Sequence, residues 1–230
     1  MTFPETRTPF RFYTRLSLRE LTGLRAVTLP QLLKFLKTLP GSVIFHHTHQ
    51  YLQQHQYLTP EPPNDFAVWV SDVLGVETLG EKLASVNTVE FQSVRALRER
   101  LVTTIERYVR THPLVRLHFA KPEEAFHFVK AISVVFPTPY HAKNLKEFAE
   151  CLEAVTIDSL YFHIFEARLR LERGSNDFSI WLQELGEPKL AQAVASLDPY
   201  AHTMEEARQT ILRLVRQRLL DFEESHPHVR

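Results

Sequence analysis

The sequence predicts an all-α protein, built as a tandem duplication of a roughly five-helix unit. Helical periodicity dominates, because apolar residues recur every three or four positions along most of the chain. The chain also matches itself when it is shifted by 116, then 112, then 111 positions, and the shift changes only where loops are expected. The first repeat would span residues 9–111 and the second 125–222, with residues 112–124 as a packed connector.

The matches between the repeats follow one order along the chain. The shift of 116 aligns these pairs: Phe10 with Phe126, Phe12 with Phe128, Thr22 with Thr138, Ala26 with Ala142, Leu36 with Leu152 and His47 with His163. The shift of 112 aligns Trp69 with Trp181. Because a duplicated apolar face commonly packs about a twofold axis, we expect one pseudo-twofold body. Stacking of the repeats, as in a helical solenoid, is the competing arrangement.

Each repeat contains the signals of five helices. Thr28 and Asn144 are followed three residues later by Gln31 and Glu147, a pattern typical of a capped helix start. The remaining predicted helices come in pairs, one in each repeat: about 43–57 and 159–173, the helices that begin at Asn64 and at Asn176, 77–86 and 187–197, and 93–110 and 203–222. The segments 9–17 and 125–136 fit either a strand or a helix, since their phenylalanines alternate but also have helical spacing, and we favour a helix.

The composition excludes several classes of function. Twenty-seven basic residues balance 27 acidic ones, so no net charge favours nucleic acid or an anionic membrane. No apolar stretch is long enough to span a membrane, and no signal peptide precedes the first repeat. The single cysteine, Cys151, suits a reducing compartment, so we expect a soluble, cytoplasmic protein.

A polar cluster in the second helix of the first repeat is the main candidate site. Without a gap, His47 aligns with His163 and Gln50 with Glu166; a slip of one residue pairs His46 and His49 with His163 and Glu166. Both registers place two polar groups on one helical face, because residues three apart are neighbours on a helix. If the two helices cross at the axis, the groups converge on a site between the repeats. The expected ligand-binding residues are His47, Gln50, His163, Glu166, His49, Asp65 and Asp177.

Two other interpretations of these residues stay open. In the first, a zinc or iron ion is bound by some of His46, His47, His49, His163 and Glu166, and the protein is a metal-dependent, hydrolase-like enzyme. Asp65 and Asp177 would then be an acid/base pair or further ligands, although as residues at helix starts they fit capping better. In the second, the protein is a structural or adaptor subunit that uses the rigid loop Pro60–Pro63 or the closing helices, whose surfaces carry both basic and acidic residues.

No phosphate-binding loop or nucleophile triad is present, so we favour a non-catalytic protein that binds a small ligand or a protein partner and needs no cofactor. The sequence specifies neither the partner nor the oligomeric state.

Several motifs resemble those of a known family. They are the run Phe45-His-His-Thr-His-Gln-Tyr-Leu, the run Pro60-Glu-Pro-Pro-Asn-Asp-Phe-Ala-Val-Trp69 and the opening Pro9-Phe-Arg-Phe-Tyr13. They are similar to a prokaryotic family catalogued as a domain of unknown function, and the likeness covers nearly the whole chain. The resemblance implies full-length membership and no activity for any residue. It also implies an aromatic residue at the position of His46, which favours His47 as the functional histidine.

Overall fold

The structure is a computed structural model that describes residues 6, 8–50, 64–91, 93–167, 175–197 and 203–225. The chain divides into two compact units. The inserted unit is Ser17–Ser133, and the terminal unit combines Met1–Leu16 with Val134–Arg230.

The prediction of an all-α fold is wrong, because the chain forms a two-stranded sheet of β1, Phe10–Ala26, and β2, Phe126–Ala142. The strands are antiparallel: the Thr22 hydroxyl donates to Phe128 O and the Thr138 hydroxyl to Phe12 O. The segments 9–17 and 125–136, for which a helix was favoured, belong mainly to these strands. The alternation of the phenylalanines was the correct signal, because Phe10 and Phe12 are buried while Arg11 between them is exposed.

Each compact unit contains a part of each strand. The inserted unit holds the end of β1 and the start of β2, and the terminal unit holds the start of β1 and the end of β2. As a result, Phe126 and Phe128 lie in the core of the inserted unit, whereas Phe10 and Phe12 lie in the core of the terminal unit. The compact units therefore differ from the repeats 9–111 and 125–222, which remain a prediction about the sequence.

The helices of the inserted unit begin directly after β1. They are α1 Leu29–Thr38, α2 Gly41–Phe45, α3 Asp65–Val68, α4 Glu77–Ala84 and α5 Val94–Thr111. Two of them continue as π-helical segments, α2 into His46–Gln50 and α3 into Trp69–Val73. Short 3-10 turns cover Thr88–Glu90, Pro113–Leu117 and Pro122–Glu124. The last of these turns leads into β2 and matters for the site below.

The terminal unit repeats the same order of helices after β2. They are α6 Leu145–Ala154, α7 Ile157–Tyr161 with the π-helical segment Phe162–Glu166, α8 Asp177–Glu184, α9 Pro188–Ala195 and α10 Met204–Ser225. Thr28 caps α1 and Asn144 caps α6, because each side chain accepts a hydrogen bond from the backbone N–H of the residue three positions later. Gly75 and Gly186 have φ angles of +66° and +85°, the left-handed conformation that glycine adopts without strain after a helix.

Candidate functional site

Each compact unit contains a histidine–aspartate pair in which the imidazole is buried and the carboxylate is partly exposed. In the inserted unit, His47 Nδ1 lies 2.6 Å from Asp65 Oδ2. In the terminal unit, His163 Nδ1 lies 2.8 Å from Asp177 Oδ2. The structure therefore joins each predicted histidine to the predicted aspartate of its own repeat, within a single unit.

The second nitrogen of each imidazole accepts a hydrogen bond from a strand. His47 Nε2 accepts from the Val129 N–H at 3.0 Å, and His163 Nε2 accepts from the Tyr13 N–H at 2.8 Å. A nitrogen that accepts from an N–H carries no proton, so each imidazole is neutral with its proton on Nδ1, directed at the aspartate. Val129 and Tyr13 belong to β2 and β1, and both rings are almost fully buried. The pairs thus fasten the strands to the helices of each unit.

The asparagine before each aspartate completes this arrangement. Asn64 Oδ1 accepts from the Ala67 N–H, and its amide donates to Leu83 O. Asn176 Oδ1 accepts from the Ser179 N–H, and its amide donates to Val194 O. A cap of this kind satisfies backbone donors at the helix start and sets the position of the next residue, which is the aspartate.

The remaining members of the histidine cluster are packed inside the inserted unit. The His46 ring is buried and lies perpendicular to the His47 ring, with centroids 4.8 Å apart. His49 Nδ1 lies 2.9 Å from the Thr48 hydroxyl, and its ring stacks on Phe45. Burial lowers the pKa of His49 to about 4, so the ring is neutral at pH 7. The side chain of Gln50 and the loop Pro60–Pro63 lie outside the described residues.

Glu166, the predicted partner of His163, is instead part of a buried ion pair in the terminal unit. Its Oε1 accepts from Arg15 Nη1 at 2.6 Å, and the Arg15 guanidinium lies 4.1 Å from the centre of the Tyr161 ring. Burial raises the pKa of Tyr161 far above its ordinary value, and the nearby Arg15 charge opposes this shift. The inserted unit has Phe45 where this unit has Tyr161, and Ala131 where it has Arg15, so the ion pair is specific to the terminal unit.

The zinc or iron alternative has no ligand set within the described ranges. No three histidine, cysteine, aspartate or glutamate side chains come together there in a group that could hold a metal ion. The two best-placed histidines, His47 and His163, already use both ring nitrogens in hydrogen bonds.

The terminal unit also contains a pocket of about 650 Å³ beside His163. Its volume lies within the roughly 300–1,000 Å³ that is typical of ligand sites. Its apolar lining includes Phe10, Tyr13, Val135, Phe162, Ile180 and Trp181, and its charged lining consists of Arg11, Asp177 and Glu184. The pocket thus offers aromatic surface together with charges of both signs.

One wall of this pocket carries a buried donor without a partner. Trp181 is 4 % exposed, and its Nε1 has no hydrogen-bond partner among the residues that the structure describes. An unpaired buried N–H costs roughly 1–3 kcal/mol, so such a group calls for an explanation. The nitrogen itself is covered, so a ligand reaches it only when the pocket lining shifts.

The comparisons with known proteins identify a family. Residues 7–216 match the family described as "Family of unknown function (DUF5752)". The chain belongs to this family. The DUF5752 chain is also similar to the solved structure of OrfY from Thermoproteus tenax, with 28% identity and a TM-score of 0.76 over 93% of this chain and 96% of the OrfY chain. None of the curated proteins matches it.

Two features of the DUF5752 chain escaped the sequence prediction. The ion pair of Arg15 could have been found from the positions at which the repeats differ, Ala131 against Arg15 and Phe45 against Tyr161. The pocket could have been found by comparing the segments that lead into the two strands, because the segment before β2 is longer than the segment before β1.

Within the described residues, no helix combines the length and the apolar character needed to cross a membrane.

Proposed function

We propose that the protein is a non-catalytic binding protein whose ligand site is the pocket of the terminal unit. The observation that carries the proposal is the unpaired Trp181 N–H, which lies in the wall of a pocket that combines aromatic and aliphatic side chains with a few charged ones. A ligand with a hydrogen-bond acceptor would satisfy this donor, and the aromatic lining would bury its apolar part. Aromatic and apolar walls with a few polar groups are the usual composition of a ligand site.

The state of the neighbouring histidine favours binding over catalysis. A general base needs a free nitrogen within reach of the substrate. His163 lines the pocket, but its Nε2 accepts from the Tyr13 N–H and its Nδ1 is directed at Asp177. Proton abstraction by this ring would break the bond to the strand. Its position is therefore better suited to shaping the pocket than to acting on a ligand.

Thermal unfolding in the presence of defined compounds tests the proposal. The panel consists of amino acids, nucleotides, sugar phosphates and short peptides. A compound present at 100 times its dissociation constant stabilises the folded state by about 2.7 kcal/mol. For a chain of this size that raises the melting temperature by roughly 5–10 °C. Mass spectrometry of the recovered compound should show that it is chemically unchanged.

A matched pair of variants locates the effect. Val135 lines the pocket and is partly exposed on β2, so Val135→Phe narrows the pocket and should abolish the thermal shift. Arg19 is the corresponding position of β1 in the inserted unit, and Arg19→Phe should leave the shift intact. The proposal fails if no compound class stabilises the protein, if Val135→Phe retains the shift, or if the recovered compound has been converted.

A further inference from the structure

We propose that the pocket of the terminal unit takes a main-chain segment of a partner polypeptide, neutral or basic in charge, with one carbonyl accepting from the Trp181 N–H. This inference rests on the proposed function and specifies its ligand. The observation behind it comes from the inserted unit, in which a segment of the chain itself supplies a carbonyl to the matching tryptophan.

The two tryptophans pack against their strands with matching geometry, but only Trp69 has a hydrogen-bond partner among the described residues. The Trp69 ring lies 5.7 Å from Phe126 at 69°, and the Trp181 ring lies 5.8 Å from Phe10 at 66°. In the inserted unit, Trp69 Nε1 donates to Glu124 O at 2.8 Å. The matched distances and angles place the Trp181 ring against its strand as the Trp69 ring lies against its own, so a carbonyl supplied where the inserted unit has its turn would lie near the Trp181 ring.

The described residues of the terminal unit contain no such turn before β1, and the sequence there is two residues shorter. The Ala120 N–H donates to Val27 O, and the Thr6 N–H donates to the corresponding Lys143 O. From these matched points to Phe126 and Phe10, the chain has five residues in the inserted unit, Lys121–Ala125, but three in the terminal unit, Arg7–Pro9. Five residues accommodate the 3-10 turn Pro122–Glu124, whose last carbonyl reaches Trp69. With three residues, Thr8 and Pro9 line the pocket and no described carbonyl accepts from Trp181.

The charges of the pocket favour a segment that is less acidic than the matching turn of the inserted unit. Asp177 and Glu184 contribute two carboxylates to the lining, against one guanidinium from Arg11. His163 adds no charge, because its hydrogen bonds require the neutral ring. The lining is therefore net negative, and a lysine in the segment is attracted where the glutamates of Pro122–Glu124 would be repelled. Because Trp181 Nε1 is covered, part of the pocket lining must move aside for the carbonyl.

The indole N–H signals in a ¹H–¹⁵N NMR spectrum give a direct test, because the chain has two tryptophans. Trp69→Phe assigns the signals. The probes are acetyl-Lys-Pro-Glu-Glu-Ala-amide, which copies residues 121–125, and acetyl-Lys-Pro-Lys-Lys-Ala-amide. We expect the lysine peptide to move the Trp181 signal downfield and to leave the Trp69 signal in place. It should bind at least severalfold more tightly than the glutamate peptide, with a difference that shrinks as salt is added.

A graft of the turn into the terminal unit is the complementary test. Replacing Arg7–Pro9 with the five residues found at 121–125 should move the Trp181 signal to the position of Trp69 and abolish binding of the lysine peptide. If circular dichroism shows that the graft does not fold, Val135→Phe decides, since it should also abolish peptide binding. A small metabolite that moves the Trp181 signal when neither peptide does overturns the peptide inference and leaves the proposed function standing. If peptides and metabolites alike leave this signal unmoved, both proposals fail.

Discussion

Replacing His163 with phenylalanine tests whether the histidine–aspartate pairs hold the strands in place. The phenyl ring keeps the aromatic packing against Phe10 and Phe178 but removes both polar nitrogens. The Tyr13 N–H then loses its acceptor, which costs roughly 1–3 kcal/mol when the donor is buried. Because this bond is partly buried and Asp177 can turn toward water, we expect a loss of about 2 kcal/mol in the free energy of unfolding.

The expected loss lowers the melting temperature by roughly 4–8 °C in a chain of this size. His163→Asn should fall between this variant and the wild type, because its amide can donate to Asp177 but cannot reach Tyr13. His47→Phe should give a similar loss in the inserted unit, since its two hydrogen bonds are the same. The control is His141→Phe, an exposed position of the same unit. If His163→Phe melts at the same temperature as this control, the imidazole does not fasten the strand.

Three further perturbations test other parts of the structure. Burial lowers the pKa of His49 to about 4 in the folded protein, against 6.5 when the ring is not buried. As the pH falls, the unfolded chain therefore protonates His49 before the folded protein does. The contribution of neutral His49 to the free energy of unfolding is complete above pH 6.5 and falls toward pH 4 by at most ~1.4 kcal/mol per pH unit. The stability of His49→Phe, measured by urea unfolding, should therefore depend less on pH than that of the wild type. Arg15→Ala leaves the Glu166 carboxylate buried without its guanidinium and should lower the free energy of unfolding by about 3 kcal/mol. Adding Glu166→Gln should recover part of this loss, and strictly additive effects in a double-mutant cycle would contradict the interaction of Arg15 with Glu166. Shortening residues 121–125 to Arg-Thr-Pro removes the acceptor of Trp69, so its indole N–H signal should move upfield and stability should fall by roughly 1–3 kcal/mol, whereas an unmoved signal refutes the role of loop length.

Local signals in the sequence were sufficient for the starts of four helices. The helices predicted from 43 and from 159 begin at Gly41 and at Ile157, and their predicted ends, 57 and 173, lie outside the described residues. Thr28, Asn64, Asn144 and Asn176 cap helices where their side chains and the following residues predicted it. Capping depends on hydrogen bonds between residues three apart, so the sequence contains all the information that it needs. Gly75 and Gly186 are local in the same sense, because their conformation is set by the end of the preceding helix.

The strands and the site depend on contacts between distant residues, which periodicity does not reveal. The sequence placed Phe10 and Phe126 within their own repeats, yet each is buried in the core formed by the helices of the other repeat. His47 and His163 looked like free polar groups on a helical face, because the strand N–H groups that they bind lie 82 and 150 residues away along the chain. A polar residue with a distant partner cannot be distinguished from a binding residue by spacing alone.

The division of the two strands leads to a prediction about which part of the chain can fold alone. The fragment 9–111, the first predicted repeat, lacks Phe126 and Phe128, which are buried among its helices. Losing a buried phenylalanine costs roughly 3–5 kcal/mol, so the two together remove most of the roughly 5–15 kcal/mol that stabilises a typical domain. The fragment 17–133 is continuous and retains both side chains together with the acceptor of Trp69.

Thermal unfolding of these two fragments, followed by circular dichroism and by the fluorescence of Trp69, distinguishes repeat from folding unit. We expect fragment 17–133 to unfold cooperatively with a buried tryptophan, and fragment 9–111 to show neither a cooperative transition nor a blue-shifted emission. Lys130 and Glu20, which pair across the strands of the longer fragment, provide a mild control, since Lys130→Ala should leave its transition nearly unchanged. Cooperative unfolding of 9–111 would show instead that a single repeat supplies its own core. The burial of each repeat's strand residues among the helices of the other repeat would then add little to stability.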